Sequence, residues 1–206
     1  MAIVKPKVGV ISYGSGNIAS VQNALSKLDC DVLVTGDHKA LSTCSHLILP
    51  GVGSFNSVKA KLDLVLDPGI LLELSAKARG LLGICVGLQI LADQGEEFGL
   101  TPGFGKFKGT VTRIDSAPLL PHMGWNNLIE IRDACPILAS VTPEDDFYFV
   151  HSYALSNWSD SQIMAKAHYG SDFPAVVREG NIYGVQFHPE KSSASGQKIF
   201  RNFLSL

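Results

Sequence analysis

The sequence predicts an α/β protein with an open, mostly parallel sheet flanked by helices and an antiparallel extension. In the first half of the chain, strand patterns alternate with helix patterns, which is typical of doubly wound sheets. One of these strands, Gly80 to Ile84, is continuously apolar, as expected for a strand covered by helices on both faces. The second half carries short runs separated by turn residues, which favour antiparallel strands.

The elements of the first half follow from short β-branched and aliphatic runs and from apolar residues at helical spacing. The predicted strands cover residues 8–13, 31–35, 46–49 and 80–84. The predicted helices cover residues 17–28, 69–79 and 86–92. In the first helix the apolar residues that share one face are Ile18, Val21, Ala24, Leu25 and Leu28.

The second half is predicted to contain several short strands and a final amphipathic helix. The strands cover residues 109–114, 127–131, 147–152, 163–167, 175–178 and 182–187. Glu179-Gly180-Asn181 lies between the last two, and a glycine that tolerates positive φ indicates a hairpin there. The helix covers residues 196–206. We find no repeat or linker and therefore predict a single domain over residues 1–206.

Composition excludes several classes of function. A hydrophobic content of 46% with 17% charged residues is typical of a compact globular protein. The net charge of -2 and the absence of a long basic run give no nucleic-acid footprint. The beginning of the chain lacks the apolar core of a signal peptide, and the most apolar stretch, residues 80–92, is shorter than a membrane span of roughly 20 residues. We expect a cytoplasmic protein that does not bind membranes.

The four cysteines have no CxxC spacing, so neither a zinc site nor a redox dithiol is expected. One of them lies in Gly83-Ile84-Cys85-Val86-Gly87, which has the form G-x-C-x-G between a strand and a helix. Small residues two positions from a nucleophile relieve crowding on such a sharp turn. Helix N–H groups beside the turn favour a thiolate and a developing oxyanion. A buried cysteine in a glycine-containing loop is the alternative, and the motif alone does not exclude it.

His188-Pro189-Glu190 favours the catalytic interpretation. Pro189 disfavours helical backbone at His188, so the histidine should end the extended run before it. Side chains two residues apart on an extended chain share a face. Glu190 can therefore hold the tautomer of His188 and stabilise the imidazolium that forms when His188 takes the thiol proton. An ordinary His–Glu pair is the alternative, but together with Cys85 the arrangement predicts a triad.

These motifs and four others resemble the class I (triad) glutamine amidotransferases, and in particular the glutaminase subunits of imidazole glycerol phosphate synthase. The matching segments lie in family order over nearly the whole chain: Ser12–Asn17, Pro50–Phe55, Gly83–Gln89, Pro121–Asn126, Tyr148–Tyr153 and Gly184–Ser192. The resemblance implies the flavodoxin-like fold of that family. It also implies that Cys85 attacks the glutamine side-chain amide, that His188 acts as base and then acid, and that Glu190 orients it.

The resemblance assigns further roles around the nucleophile. It implies an oxyanion hole built from the backbone of Val86 and of the loop Gly51, Val52 and Gly53, whose glycines let a peptide rotate. The implied substrate-binding residues are Gln89, Glu97, Ser152 and Tyr153. Val86 and Leu88 replace the Leu and Met common in the family, which leaves the chemistry unchanged.

The resemblance also supplies a partner, because ammonia must reach a second active site and this chain contains no synthase. The implied partner is a (β/α)8-barrel cyclase subunit in a heterodimer, which uses the ammonia to form imidazole glycerol phosphate and aminoimidazole carboxamide ribonucleotide in histidine biosynthesis. The candidate interface residues are Asn17, Trp125, Tyr148 and Lys191. For Trp125 and Tyr148, core packing is an equally weighted alternative. Glutamine is the implied substrate, and no cofactor is expected.

Three alternative functions follow from other features of the sequence. Gly14-Ser15-Gly16-Asn17-Ile18-Ala19 follows a strand and fits a dinucleotide-binding fingerprint, with Asp37 about 20 residues further on. A tight strand-to-helix turn is the simpler interpretation of these glycines. Proteins with a nucleophile on the same kind of strand-to-helix turn also include peptidases, deglycases and amidotransferase paralogues that serve sugar-modifying synthetases. A non-catalytic interaction protein is the least favoured, because Cys85, His188 and Glu190 are all present.

Overall fold

The computed structural model describes residues 5–206 of the chain. Residues 1–4 form part of the segment that was predicted not to be a signal peptide, and they lie outside the described residues. Among residues 5–206, no helix is both long and apolar enough to cross a bilayer.

The elements are as follows. The strands are β1 (Lys7–Ile11), β2 (Asp31–Thr35), β3 (His46–Gly51), β4 (Gly80–Cys85), β5 (Ala92–Gly95), β6 (Thr101–Pro102), β7 (Phe107–Arg113), β8 (His122–Asn127), β9 (Asp146–His151), β10 (Tyr153–Ser156), β11 (Ile163–Tyr169), β12 (Ser171–Glu179) and β13 (Ile182–Val185). The helices are α1 (Ile18–Leu25), α2 (His38–Leu41), α3 (Phe55–Asp63), α4 (Pro68–Lys77), α5 (Val86–Ile90) and α6 (Ser193–Leu204).

The main sheet has seven strands in the order β11-β12-β13-β4-β3-β1-β2. The five strands from β13 to β2 are parallel to their neighbours, whereas β11, β12 and β13 pair antiparallel. The hairpin predicted around Gly180 joins β12 to β13, and Gly180 has φ 58° there. The predicted fold class, a mostly parallel sheet with an antiparallel extension, is therefore confirmed. A four-stranded sheet and the pair β8-β9 lie beside it.

The core lies on both faces of the parallel strands. Every residue of β3 and β4 is buried, in agreement with the continuous apolar run that predicted a covered strand. Helix α1 buries Val21, Ala24 and Leu25. Helix α6 buries Ile199, Phe200 and Phe203 against the same sheet. Both helices thus bury the apolar faces that their sequence periodicity predicts.

Most predicted bounds differ from the structure by a few residues, as for the strand predicted over residues 182–187, which ends at Val185, and two predicted elements differ in kind or place. The helix predicted over residues 86–92 ends at Ile90, because Ala92 begins β5 and pairs with β7. The strand predicted over residues 127–131 is instead β8, which ends at Asn127. Beyond it only Ile129 forms an isolated bridge, with Lys166, and Glu130 leaves extended geometry at φ 51°. Helix α3 was not predicted, although its Phe55, Val58 and Leu62 are buried at helical spacing.

Candidate active site

Cys85 lies on a sharp turn between β4 and α5, as the G-x-C-x-G motif predicts. Its backbone has φ 53° and ψ -111°, a strained conformation for a residue with a side chain. A Cβ at Gly83 would lie 2.7 Å from the Gly87 carbonyl oxygen, and a Cβ at Gly87 would lie 2.0 Å from the Leu49 carbonyl oxygen. Glycine at both positions is therefore what lets the turn close.

The second half of the chain brings His188 and Glu190 to the same edge of the sheet. Strand β13 pairs in parallel with β4, with Val185 opposite Ile84, so the segment after β13 runs beside the cysteine turn. His188 Nδ1 lies 2.8 Å from Glu190 Oε1. Both side chains are 1% exposed. His188 Nε2 is buried, has no hydrogen-bond partner within residues 5–206, and its ring lines the same cavity as Cys85.

Backbone and side-chain hydrogen bonds fix the position of the histidine. The His188 N–H donates to the Tyr148 carbonyl at 2.9 Å, and the Ser192 hydroxyl donates to the His188 carbonyl at 2.6 Å. The same hydroxyl oxygen accepts the Tyr148 N–H at 2.9 Å. Asn17 Nδ2 donates to Glu190 Oε1 at 3.3 Å. The imidazole and the carboxylate are thus held from three separate segments.

The surroundings of His188 favour its protonated form. Burial acts to lower its pKa, but the neighbouring Cys85 sulfur and Glu190 carboxylate raise the pKa to about 10. Both neighbours are anionic when ionised, so they stabilise an imidazolium between them. This arrangement therefore stabilises the imidazolium that forms when His188 accepts a proton from the thiol.

The cysteine sulfur has two further polar neighbours. The Cys85 Sγ lies 3.9 Å from the Val150 carbonyl oxygen, to which the thiol S–H donates. The Gln186 side-chain amide donates to the same sulfur at 3.6 Å. Sequence reasoning missed Gln186, which lies two residues before His188, just after the end of β13.

A cavity of about 290 Å³ opens at Cys85 and contains all four residues predicted to bind substrate. These are Gln89, Glu97, Ser152 and Tyr153. The Glu97 carboxylate accepts the Phe55 N–H at 2.8 Å, which orients it at the start of α3. The Gln89 amide nitrogen donates to the Tyr153 carbonyl at 2.8 Å and to Gln186 Oε1 at 3.1 Å. Gln89 therefore reaches the cavity as predicted, but its N–H groups are engaged within the protein.

The loop predicted to supply part of the oxyanion hole borders the same cavity. Val52 and Gly53 line it together with Val86, and Gly53 has φ 109°, a conformation that favours glycine. A Cβ at Gly51 would lie 2.3 Å from the Gly87 nitrogen, so this residue permits close contact with the start of α5. The Tyr13 hydroxyl donates to the Pro50 carbonyl at 2.6 Å and thereby anchors the beginning of the loop.

Three of the four candidate interface residues form one patch. The Trp125 and Tyr148 rings meet edge to face at 5.9 Å, and Lys191 Nζ lies 5.7 Å from the Tyr148 ring centre. Trp125 is 55% exposed, so core packing, the alternative for this residue, is wrong. Asn17 instead contacts Glu190. Met123 at 61% exposed extends the patch.

The geometry does not favour dinucleotide binding. Gly14 and Gly16 have φ 77° and 103°, so they form the tight turn between β1 and α1. The Asp37 carboxylate, which would hold a ribose in that interpretation, accepts the N–H groups of Lys39 and Ala40 at 3.3 and 3.2 Å. Asp37 is thus the N-terminal cap of α2.

A buried pair of histidines, also missed from the sequence, supports the wall of the cavity. His151 lines the cavity, and its Nδ1 lies 3.0 Å from the Tyr153 carbonyl, so this nitrogen carries the proton. His151 Nε2 then accepts from His122 Nδ1 at 3.0 Å. Burial lowers the pKa of His122 to about 4 and that of His151 to about 3. Both rings are neutral in the folded protein.

These histidines predict a loss of stability in mild acid. Burial also lowers the pKa of His46 to about 4. An unfolded histidine titrates near 6.5, so the unfolded chain binds more protons below that pH and is favoured as the pH falls. Between pH 7 and pH 5 we expect His46, His122 and His151 each to lower the free energy of unfolding by about 1–2 kcal/mol, whereas His188, whose pKa is raised, acts in the opposite direction. Urea denaturation at both pH values measures the difference.

His46→Gln should reduce this pH dependence, whereas His168→Gln is the matched control, since the His168 side chain is 63% exposed. An equal free energy of unfolding at pH 7 and pH 5 in the unmodified protein would contradict the prediction.

Comparison with known proteins agrees with the fold. Residues 9–206 match the family model of the class-I glutamine amidotransferases. The chain belongs to this family, and it is an enzyme of the glutamine amidotransferase class. The resemblance inferred from the motifs is confirmed.

Two curated relatives identify the branch of the family to which the chain is similar. It is 42% identical to imidazole glycerol phosphate synthase subunit HisH of Geobacillus sp. strain WCH70, over 97% of this chain and 96% of that protein. It is 38% identical to the HisH subunit of Methanocaldococcus jannaschii, over 97% and 99% of the two chains. Among solved structures, PurLQS from Thermotoga maritima superposes with a TM-score of 0.79 at 21% identity, covering 98% and 99%. That likeness concerns the fold.

Proposed function

We propose that this chain is the glutaminase subunit of an imidazole glycerol phosphate synthase. The observation that carries the proposal is the strained Cys85 beside a buried His188 that is held by Glu190 at 2.8 Å. Identity of 42% to a HisH subunit over nearly the whole chain supports the particular synthase. The substrate is glutamine, and the products of this subunit are glutamate and ammonia.

The first half of the reaction forms a thioester. His188 Nε2 takes the Cys85 proton, and the thiolate attacks the amide carbon of the glutamine side chain. The resulting oxyanion is stabilised by the Val86 N–H and by the loop Gly51–Gly53. Protonated His188 then gives its proton to the leaving nitrogen, the carbon–nitrogen bond breaks, and ammonia departs. The γ-glutamyl group remains bound to sulfur.

The second half releases glutamate. His188 takes a proton from water as the hydroxyl attacks the thioester carbon, and the carbon–sulfur bond breaks to give glutamate. The proton returns from His188 to the sulfur. Glu190 holds His188 in place and stabilises the imidazolium in both halves. The backbone of Ser152 and Tyr153 holds the amino-acid end of the substrate, and Gln89 and Glu97 contact the glutamine in the cavity that all four residues line.

The partner in this proposal is a cyclase subunit with a (β/α)8 barrel, which receives the ammonia in a heterodimer. The exposed patch of Trp125, Tyr148 and Lys191, together with Asn17, forms part of the contact surface. It is linked to the site through Tyr148, whose carbonyl accepts the His188 N–H. The partner can therefore influence the histidine through one residue.

Two further expectations belong to this proposal. A cytoplasmic location is supported by four cysteines that form no disulfide within residues 5–206, because thiols persist in reducing compartments. A single domain over residues 1–206 stays a prediction, and the family match to residues 9–206 supports it.

The proposal predicts weak glutamine hydrolysis by the isolated chain and a substantial increase when the cyclase subunit and its nucleotide substrate are added. The physical reason is that the loop Gly51–Gly53 must present a peptide N–H to the oxyanion, and glycines on both sides of Val52 let that peptide rotate. Glutamate release, measured with and without the partner, tests this. Full activity of the isolated chain would contradict the need for a partner, and a chain inactive with the cyclase would contradict the choice of synthase.

A further inference from the structure

Gln186 is the only fully buried glutamine within residues 5–206 that contacts the cysteine sulfur. It is 0% exposed, and no role is assigned to it above. Its Nε2 lies 3.6 Å from Cys85 Sγ, and its Oε1 accepts from Gln89 Nε2 at 3.1 Å. A buried amide needs partners for both ends, and here one of the partners is the reacting atom.

The orientation of this amide follows from the hydrogen-bond network. The Tyr153 carbonyl can only accept, so Gln89 must turn its NH2 group toward it, at 2.8 Å. The second hydrogen of that NH2 group donates to Gln186 Oε1. Gln186 therefore has its own NH2 group on the side of the sulfur. The carbonyl fixes both amides in one orientation.

The Tyr153 carbonyl is held from its other side by His151 Nδ1 at 3.0 Å. The network thus runs from the histidine pair through one backbone oxygen and two amides to the sulfur. None of its members carries a charge, because the pKa of His122 and of His151 is lowered by burial. Its last N–H is a fixed dipole directed at Cys85.

We propose that Gln186 is a catalytic residue that donates a hydrogen bond to the Cys85 thiolate. This rests on the proposed function, in which Cys85 is the nucleophile. When His188 takes the thiol proton, the sulfur becomes negative in a buried site, and a hydrogen bond to a charged acceptor is stronger than one to a neutral acceptor. The negative end of the Val150 carbonyl lies 3.9 Å from the same sulfur and opposes the negative charge there. The Gln186 N–H offsets that repulsion.

The ionisable groups that face the sulfur come from several segments. His188 stabilises the thiolate as an imidazolium, and Glu190 acts through His188. Tyr13, on the turn after β1, keeps its proton, since burial raises its pKa and its hydroxyl donates to Pro50. Glu97 lines the same cavity. Gln186 is the neutral donor among these groups, so its contribution does not depend on pH.

Replacement of Gln186 tests the proposal through the reactivity of the thiol. The rate of alkylation of the full chain by iodoacetamide is measured against pH, and the midpoint reports how readily the thiolate forms. Gln186→Leu should move the midpoint upward by about one pH unit, the effect of losing one hydrogen bond to a charge. Gln186→Glu should move it further, because a carboxylate would face the sulfur. In the complex with the cyclase, Gln186→Leu should lower kcat about tenfold.

Gln162→Leu is the matched control, since Gln162 is also buried and makes three hydrogen bonds away from the cavity. It should lower stability without moving the alkylation midpoint. Gln186→Met serves as a second apolar variant if Gln186→Leu does not fold. An unchanged midpoint in folded Gln186→Leu or Gln186→Met, or a midpoint shift of equal size in Gln162→Leu, would overturn the role. Because alkylation requires no glutamine turnover, this outcome is separate from a failure of the proposed glutaminase function.

Discussion

Cys85→Ala abolishes glutamine hydrolysis, with an expected loss of at least about 10⁴-fold in the rate of glutamate release by the complex with the cyclase. The sulfur lines the same cavity as His188, and alanine leaves the base without a thiol proton to accept. Synthesis supported by added ammonium should continue, because ammonia then enters without passing through this chain. Parallel assays of glutamate and of the ammonium-dependent product measure both effects.

Cys30→Ala is the matched control, since Cys30 is a buried thiol whose Sγ donates to the Leu25 carbonyl, far from the cavity. This variant should retain glutamine hydrolysis. Glutamate release by Cys85→Ala at the unmodified rate would disprove the assignment of the nucleophile.

Gly87→Ala should destabilise the protein by at least about 3 kcal/mol, because the added methyl group overpacks a site bordered by the backbone of another strand. The added Cβ would lie 2.0 Å from the Leu49 carbonyl oxygen, which belongs to the backbone of β3. To relieve this contact, α5 must move away from β3, and the turn at Cys85 then loses its geometry. Activity should therefore fall together with stability. Urea denaturation gives the free energy of unfolding, and a glutaminase assay at low temperature gives the activity of the folded fraction.

Gly69→Ala provides the comparison, because Gly69 is also a helical glycine and its Cβ would meet only the flexible Asp67 carboxylate at 3.0 Å. Alanine is the better helix former, so this change should be neutral or slightly stabilising. Equal stability of Gly87→Ala and the unmodified protein would show that β3 and α5 can separate without cost.

The parallel part of the fold is predictable because its determinants are local. Residues 80–84 are apolar throughout, and only a doubly covered strand suits such a run. The bounds of α5 are not predictable in this way. Its apolar run continues through Leu91 and Ala92, but pairing of Ala92 with β7 ends the helix. That strand comes from a later part of the chain, so tertiary contact overrides the local pattern.

The site divides in the same way, because its predicted residues lie in local motifs and its unpredicted residues depend on contacts with distant segments. Cys85, His188 and Glu190 lie in short motifs whose residue types reveal their chemistry. Gln186 and His151 act through partners that are distant in sequence, since Gln186 contacts Cys85 and His151 contacts His122. A glutamine or a histidine inside an apolar run has many explanations until its partners are known. Spatial neighbours of this kind emerge only when the sheet is assembled.

The register of three adjacent strands has a consequence for how such an enzyme diversifies. Strand β3 leads into the loop Gly51–Gly53, β4 ends in Cys85, and β13 leads to His188, with Gly51 opposite Cys85. Neighbouring strands lie about 4.8 Å apart, so backbone spacing alone keeps the three groups together. The chemistry is therefore inherited with the sheet, and the surface that meets another protein can drift independently. One scaffold can in this way deliver ammonia to unrelated acceptors as its outer loops change.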